Sequence, residues 1–312
     1  MKLSVVSTLY QTASHLEEFH RRVTAAAREF AGDDYEIVLV NDGSPDRSLE
    51  MAIDLTATDA KLTLVDLSRN FGHHKAMMTA LAHAHGEHIF LIDSDLEEDP
   101  EWLLAFGEQM AREKCDVVYG VQIVRRDAHF SRWSGQMFYR VFRVLTRLPL
   151  PDNIVVCRLM TRRYVNALLL HEEREVFIAG LWLITGFDQR PHAITKHRTS
   201  ETTYNLRRKI SQFVNSVTSF SNVPLVGIFV SGLGIAILSG IYALVLIANW
   251  LFFATPPSGW TSVMASVWLL GGVITAFIGV VGIYISKMFS EIKHRPYTIV
   301  RQIYGGGGKG QT

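Results

Sequence analysis

The chain has 312 residues, 48% of them hydrophobic, and its 31 Lys and Arg against 30 Asp and Glu leave a formal net charge of +1. That balance gives no basis for a nucleic-acid partner. Two cysteines without metal spacing, Cys115 and Cys157, exclude a disulfide scaffold and fit free thiols in a reducing compartment.

From the start, short β-branched runs alternate with helical stretches. KLSVVST, YEIVLVN, LTLVDLS, HIFLIDS and DVVYGVQ read as strands, and HLEEFHRRVTAAAREF and HHKAMMTALAHAH as crossover helices. Continuous apolar strands joined by amphipathic crossovers predict an α/β domain over residues 1–209, with a mostly parallel, doubly wound sheet. Ligands of such sheets bind beyond the carboxyl ends of the strands. The opening residues lack the long apolar core of a cleavable signal, so none is expected.

Three strand ends then stand out. STLYQ closes the first strand, and NDGSPD closes the second with Asp42 placed to accept hydrogen bonds from a nucleobase or simply to form a turn. Ser44 and Pro45 suit a helix N-cap and first helical position. FLIDSDLEEDP, Phe90 to Pro100, gathers five carboxylates at the end of the apolar run Ile89–Ile92. Such crowding persists if the acids are solvated or if a cation offsets them. A hard divalent ion, Mg²⁺ or Mn²⁺, suits these oxygens; an acidic loop favouring the positive end of the next helix fits them equally. Neither the strand–GxGxxG–helix fingerprint of a dinucleotide site nor a phosphate-binding P-loop is present. The five histidines of HHKAMMTALAHAHGEH do not share a face and are not expected to bind zinc, and Met77 and Met78 read as core packing.

Between Lys209 and Lys287 no Asp, Glu, Lys, Arg or His occurs. Within that gap lie two apolar runs, 225–253 and 262–286, joined by ATPPSGWT, with Trp250 and Trp260 at interface depth. Each exceeds the roughly 20 residues that span a bilayer. They predict a transmembrane hairpin, with a buried helical pair as the other reading. YNLRRK before and KMFSEIKHR after place both termini, and with them the α/β domain, in the cytoplasm. Residues 125–143 and 204–222 read as amphipathic juxtamembrane segments, 287–312 as a basic tail, and GGGGKGQT as flexible.

NDGSPD, the block from Leu67 to Glu101 (LSRNFGHHKAMMTALAHAHGEHIFLIDSDLEEDPE) and the closing hairpin, in that order, resemble the family 2 glycosyltransferases of the GT-A fold. Within these the chain is most similar to the polyprenyl-phosphate glycosyltransferases, the group of dolichyl-phosphate mannose synthase and bacterial undecaprenyl-phosphate glucosyltransferases, up to about Arg301. The resemblance implies inverting transfer of a sugar from a nucleotide-sugar donor, UDP favoured over GDP, to a polyprenyl phosphate. It implies Asp93 and Asp95 as metal ligands with Glu97 as a third, in place of the family's glutamine, and Asp95 as catalytic. It places Asp42 at the base, Thr8 and Tyr10 near the nucleotide, and Arg69 at the base or phosphates. It also implies a homo-oligomer, to which the small residues Gly232, Gly234, Gly271 and Gly272 would lend close helix approach.

The chain departs from the family pattern at Thr8, Gln11 and Ala13, at Gln122 where an arginine is usual, and at Val156 where an aspartate is usual. A lipid phosphate is ionised at neutral pH and needs no general base, so the protein's tasks are to position it and to stabilise the leaving diphosphate. Planar guanidinium groups suit the first task. Arg125 and Arg132 are the expected grips on that phosphate, Arg198 is a further candidate, and Arg158 is expected to be structural. Transfer to a lipid-linked glycan hydroxyl, which would need a base, and a non-catalytic membrane scaffold are the alternatives.

Overall fold

The computed structural model describes residues 1–122, 153–173, 176–195, 223–253 and 259–306, and the described chain divides into two units. The first holds residues up to 195 together with 295–306; the second holds 223–253 and 259–294.

In the first unit the elements run β1 (Leu3–Leu9), α1 (Leu16–Ala31), β2 (Tyr35–Asn41), α2 (Ser48–Thr58), β3 (Leu62–Leu67), α3 (His73–Ala82), β4 (His88–Leu91), α4 (Trp102–Glu113), β5 (Val117–Gln122), β6 (Ile154–Thr161), α5 (Arg162–Leu168), α6 (Ile178–Ile184) and β7 (Gln189–Ile194). After the second unit the chain returns to form β8 (Val300–Gly305). The eight strands make one sheet in the order β7-β5-β6-β4-β1-β2-β3-β8. The β1–β2, β1–β4, β2–β3 and β5–β7 pairs are parallel, whereas β6 runs antiparallel to β4 and β5, and β8 to β3. This is the expected α/β sheet, GT-A-like and mostly parallel, extended by three strands beyond the five legible in sequence.

Side-chain alternation divides the two faces. Leu3, Val5 and Leu9 of β1, Tyr35, Ile37 and Leu39 of β2, and Phe90 of β4 join one core with the apolar side of α1 and α4. α1 forms because Leu16, Phe19, Val23, Ala26 and Ala27 recur at helical spacing and bury together. It stops at Gly32, whose φ of 64° few other residues adopt cheaply. Val6 and Thr8 point to the opposite face, where α3 crosses β1 and β2. Met77 and Met78 are buried there, as expected of packing residues.

The second unit is two long helices, α7 (Val223–Phe253) and α8 (Trp260–Ile292). Both outrun the expected spans, and α8 continues through Lys287 and Glu291. The segment 287–312 is therefore not simply a tail: its first residues belong to α8, and 300–305 are the edge strand of the catalytic sheet. Among the described residues one stretch is long and apolar enough to cross a membrane, Leu269–Ile292, with a mean hydropathy of 2.1 and no burial. Val223–Ile235 is a shorter apolar stretch of α7. A Cβ added at Gly234, Gly271 or Gly272 would meet nothing within 4 Å, so these glycines line open surface, and at Gly232 it would only graze Phe277 at 3.9 Å.

Candidate active site

The carboxyl ends of β1, β2, β3 and β4 lie side by side, and four loops leave them. Carrying the β1–β4 register, Val6 opposite Leu91, two residues onward sets Thr8 beside Asp93. The loops after β1 and β2 are laced together: the amides of Gln11, Thr12 and Ala13 donate to Ser44 Oγ (2.8 Å), Ser48 Oγ (3.0 Å) and Asp46 Oδ2 (3.1 Å). Partial burial works to raise the Asp46 pKa, but the hydroxyls of Ser44 and Ser48 and the amides of Ala13 and Ser48 outweigh it and hold it at about 2.

Asp42 is 2% exposed and holds the loop after β3. Its two oxygens accept the amides of Phe71 (2.7 Å) and Gly72 (3.0 Å). Burial raises its pKa against the pull of those two bonds. Gly43 behind it has φ +60°, and a Cβ there would stand 2.4 Å from Asn70 N, so loop 69–72 lies directly on the turn after β2. Arg69, exposed, stacks its guanidinium 4.0 Å from the Phe71 ring centre. Tyr10, the residue after β1, is also exposed.

The five acids of FLIDSDLEEDP have different fates. Glu98 is wholly buried and its Oε2 accepts the Asp93 amide at 3.4 Å. Asp99 is drawn to Arg22 of α1 at 2.7 Å, and the same guanidinium reaches Glu101. Asp95 Oδ1 accepts the Glu97 amide at 3.0 Å, closing a turn in which Leu96 sits at φ +58°. Positive φ at a branched-chain leucine is costly and concentrates at functional loops. Asp93 faces His73, with Nε2 3.3 Å from Oδ1, while Thr8 Oγ1 meets His73 Nδ1 at 3.1 Å.

Among the described residues, no group of three or more His, Cys, Asp or Glu is arranged to hold a metal, so Asp93, Asp95 and Glu97 do not form a closed three-ligand cage. A different fit remains. Asp93 Oδ1 is buried, and its neighbour is the His73 ring nitrogen at 3.3 Å, outside good hydrogen-bond geometry; a buried carboxylate oxygen so weakly met suits a cation. Mg²⁺ commonly takes only one or two protein carboxylates and completes its shell with phosphate oxygens and water. The donor set present here suits that open arrangement.

Two residues escaped the sequence reading as contributors to this region. His73 was set aside with the zinc question, yet it bridges Thr8 and Asp93; crowding opposes its charged form, but Asp93, Asp42 and Glu98 outweigh that and raise its pKa. The signal was its position, first in the helix that follows the Arg69 loop. Arg158 is structural as expected, but its setting was not legible. It is fully buried beside Leu91, donates to the carbonyls of Val156 (3.1 Å) and Val155 (3.4 Å), and lies 2.9 Å from the Trp182 ring centre. Desolvation lowers its pKa to about 9, opposed by Tyr164, Cys157 and Glu98. Arg125, Arg132 and Arg198 lie outside the described residues, as do the segments 125–143 and 204–222.

A family model, glycosyl transferase family 2, matches residues 4–169, more than half of the chain and all four of these loops. The chain belongs to glycosyltransferase family 2. It is thus a transferase of glycosyl groups. This family 2 member is 49% identical over 305 residues to a Mycobacterium tuberculosis protein named only as a glycosyltransferase, covering 98% of this chain and 89% of the relative. It is 30% identical to the undecaprenyl-phosphate 4-deoxy-4-formamido-L-arabinose transferase of Pseudomonas fluorescens, over 96% of this chain and 89% of that one. It is 28% identical to a prophage-derived bactoprenol glucosyl transferase of Shigella flexneri, over 98% and 99%. Its nearness to polyprenyl-phosphate transferases matches the resemblance read from its motifs.

Proposed function

We propose that the protein is an inverting, divalent-cation-dependent glycosyltransferase that moves a sugar from a UDP-sugar to a polyprenyl phosphate at the cytoplasmic face of a bacterial membrane. The observation that carries this reading is the end-to-end alignment with the undecaprenyl-phosphate transferase, which runs through the long apolar helices as well as the catalytic domain. A soluble sugar acceptor would make those helices superfluous.

The nucleotide seats where the loops after β1, β2 and β3 converge. Asp42 retains lone pairs beyond its two amide bonds and can meet a base, Thr8 and Tyr10 flank it, and Arg69 reaches toward base or phosphates. Asp93 and Asp95 would hold the cation, Glu97 standing close behind them. Bound there, the cation supplies Lewis-acid stabilisation of the leaving diphosphate. His73 and Thr8 keep Asp93 in one orientation. A phosphate oxygen of the lipid attacks the anomeric carbon, the bond from that carbon to the diphosphate oxygen breaks, and the nucleoside diphosphate departs with the electron pair. No proton moves, so no general base is required. Arg125 and Arg132 are assigned to grip the lipid phosphate.

Exposed Leu269, Ile278 and Ile285 on α8 suit a lipid surround. The pairing of β8 with β3 adds a parity argument: a chain that crosses a bilayer after residue 195 must cross back before residue 300. If α8 spans, α7 spans too, which favours the hairpin and a cytoplasmic carboxyl end. The open glycine surface on the helices supports self-association, and a homo-oligomer is part of the proposal.

The deciding experiment presents the full chain, in detergent with Mn²⁺, with labelled UDP-sugars and either undecaprenyl phosphate or a lipid-linked glycan. Transfer to the bare lipid phosphate is expected, abolished by chelation and nearly abolished in Asp95→Asn. Transfer only to the glycan hydroxyl would overturn the acceptor assignment, and full activity of Asp95→Asn at saturating Mn²⁺ the metal assignment.

A further inference from the structure

Asp66 sits near the carboxyl end of β3, 1% exposed, and a buried carboxylate needs a partner. Asn41 Nδ2 donates to its Oδ1 at 2.7 Å. The charge is met by Arg301, whose Nη1 lies 3.3 Å from Oδ2. That arginine arrives only after both long apolar helices.

The same guanidinium does a second thing. Its Nη2 donates to the carbonyl of Ser68 at 2.7 Å, while the Ser68 amide donates to the carbonyl of Ile299 at 2.9 Å. Ser68 is therefore held on both its backbone groups by the returning segment. One residue further back, Thr298 Oγ1 meets Thr79 Oγ1 of α3 at 2.8 Å. The loop 68–72 thus has two anchors: Asp42 at Phe71 and Gly72, and residues 298–301 at Ser68 and at the helix that follows. Arg69 and Asn70, both exposed, are carried between them.

We propose that Arg301 is a positioning residue of the donor site. By gripping Asp66 and the Ser68 carbonyl together it fixes the near end of the loop against which the nucleotide seats, which makes the segment after the second apolar helix a working part of donor binding. The proposal rests on the reading that Asp42 and loop 68–72 face the nucleotide. A guanidinium is suited to the double grip because its donors are fixed in one plane; a lysine ammonium meets Asp66 but not both acceptors in that geometry.

The test uses the full chain in detergent, titrated calorimetrically with UDP and with GDP in Mn²⁺, and compares melting temperature, donor KM and acceptor KM. Arg301→Ala is expected to melt earlier, because Asp66 loses its counter-charge, and to bind nucleotide about tenfold more weakly, the worth of one charge-assisted hydrogen bond, with acceptor KM unchanged. Adding Asp66→Asn to Arg301→Ala removes the stranded charge, so melting recovers while nucleotide affinity does not. Arg301→Lys keeps the charge over Asp66 and the melting temperature, yet loses affinity. Wild-type nucleotide affinity in Arg301→Ala or Arg301→Lys, or recovery of affinity together with melting in the double variant, overturns the proposal. Asp42→Ala is the control: if it too binds nucleotide normally, the underlying site reading has failed, whereas weak binding there beside normal binding in the arginine variants sinks this inference alone.

Discussion

Replacing Gly43 by alanine tests the packing of the turn after β2 against loop 69–72. The new Cβ would stand 2.4 Å from Asn70 N and 2.6 Å from Arg69 C, both backbone atoms, where ordinary contact begins near 3.4 Å. Relief requires the loop to move by about 1 Å. Asp42 holds that loop through bonds of 2.7 and 3.0 Å to Phe71 and Gly72, and such a displacement takes both beyond bonding range. A hydrogen bond to a charged group is worth about 1.5–3 kcal/mol, and holding alanine at φ +60° costs about 1 kcal/mol more. Partial relaxation by tilting rather than translation recovers some of this, so we expect a loss of about 3 kcal/mol, or very roughly 6–12 °C in melting temperature for a domain of this size. Nucleotide affinity should fall by about tenfold or more, since the displaced loop carries Arg69. The assays are thermal unfolding in detergent and calorimetric titration with UDP and Mn²⁺. An alanine variant that melts and binds like the parent would refute the contact between these two loops and with it the account of Asp42 as the loop's anchor.

Asp46 has a folded pKa of about 2, below the ordinary carboxylate value of about 4, so it contributes stability that is complete above that ordinary value and drains away as pH falls toward 2. Asp46→Asn should be less stable at neutral pH, with the gap from the parent closing between about pH 4 and pH 2; parallel stability curves across that range would show that the Ser44, Ser48 and Ala13 contacts do not hold the charge. For topology, reporters fused ahead of Met1 and after Gly306 should both be active in the cytoplasm, because β8 must reach β3; activity on opposite sides contradicts that sheet.

Much of the fold was legible because its signals are local. Five strands and the crossover helices show in the alternation of β-branched runs with helical periodicity, and the α7–α8 pair in a charge-free gap. β6 and β7 are harder: IVVCRLMT carries an arginine in mid-strand, which interrupts the apolar run that marks a strand, and although Arg158 is expected to be structural, its full burial against the Trp182 ring is not written in its neighbours. β8 was missed because VRQIYG follows a membrane-like helix and leads into a glycine run, so nothing near it in sequence announces a partner as distant as β3. In the site, strand-end position and spacing single out Asp42, Asp93 and Asp95 as candidates, and their roles come from the family resemblance. What spacing does not encode is division of labour within a cluster. Arg22, from α1, takes Asp99, while Glu98 turns inward to the Asp93 amide. His73 gains its role from Thr8 and Asp93, which only the β1–β4 register brings alongside it.

The late return of β8 bears on how the protein is made. β3 is an almost wholly buried strand whose outer edge is covered only when residues 300–305 dock. At about 5–20 residues per second, translation leaves that edge bare for roughly tens of seconds after β3 emerges, and the apolar helices are synthesised within the same interval. Bare strand edges recruit other chains. Chains ended before Val300 should therefore aggregate, and the timing of membrane insertion relative to sheet closure sets the yield of active protein.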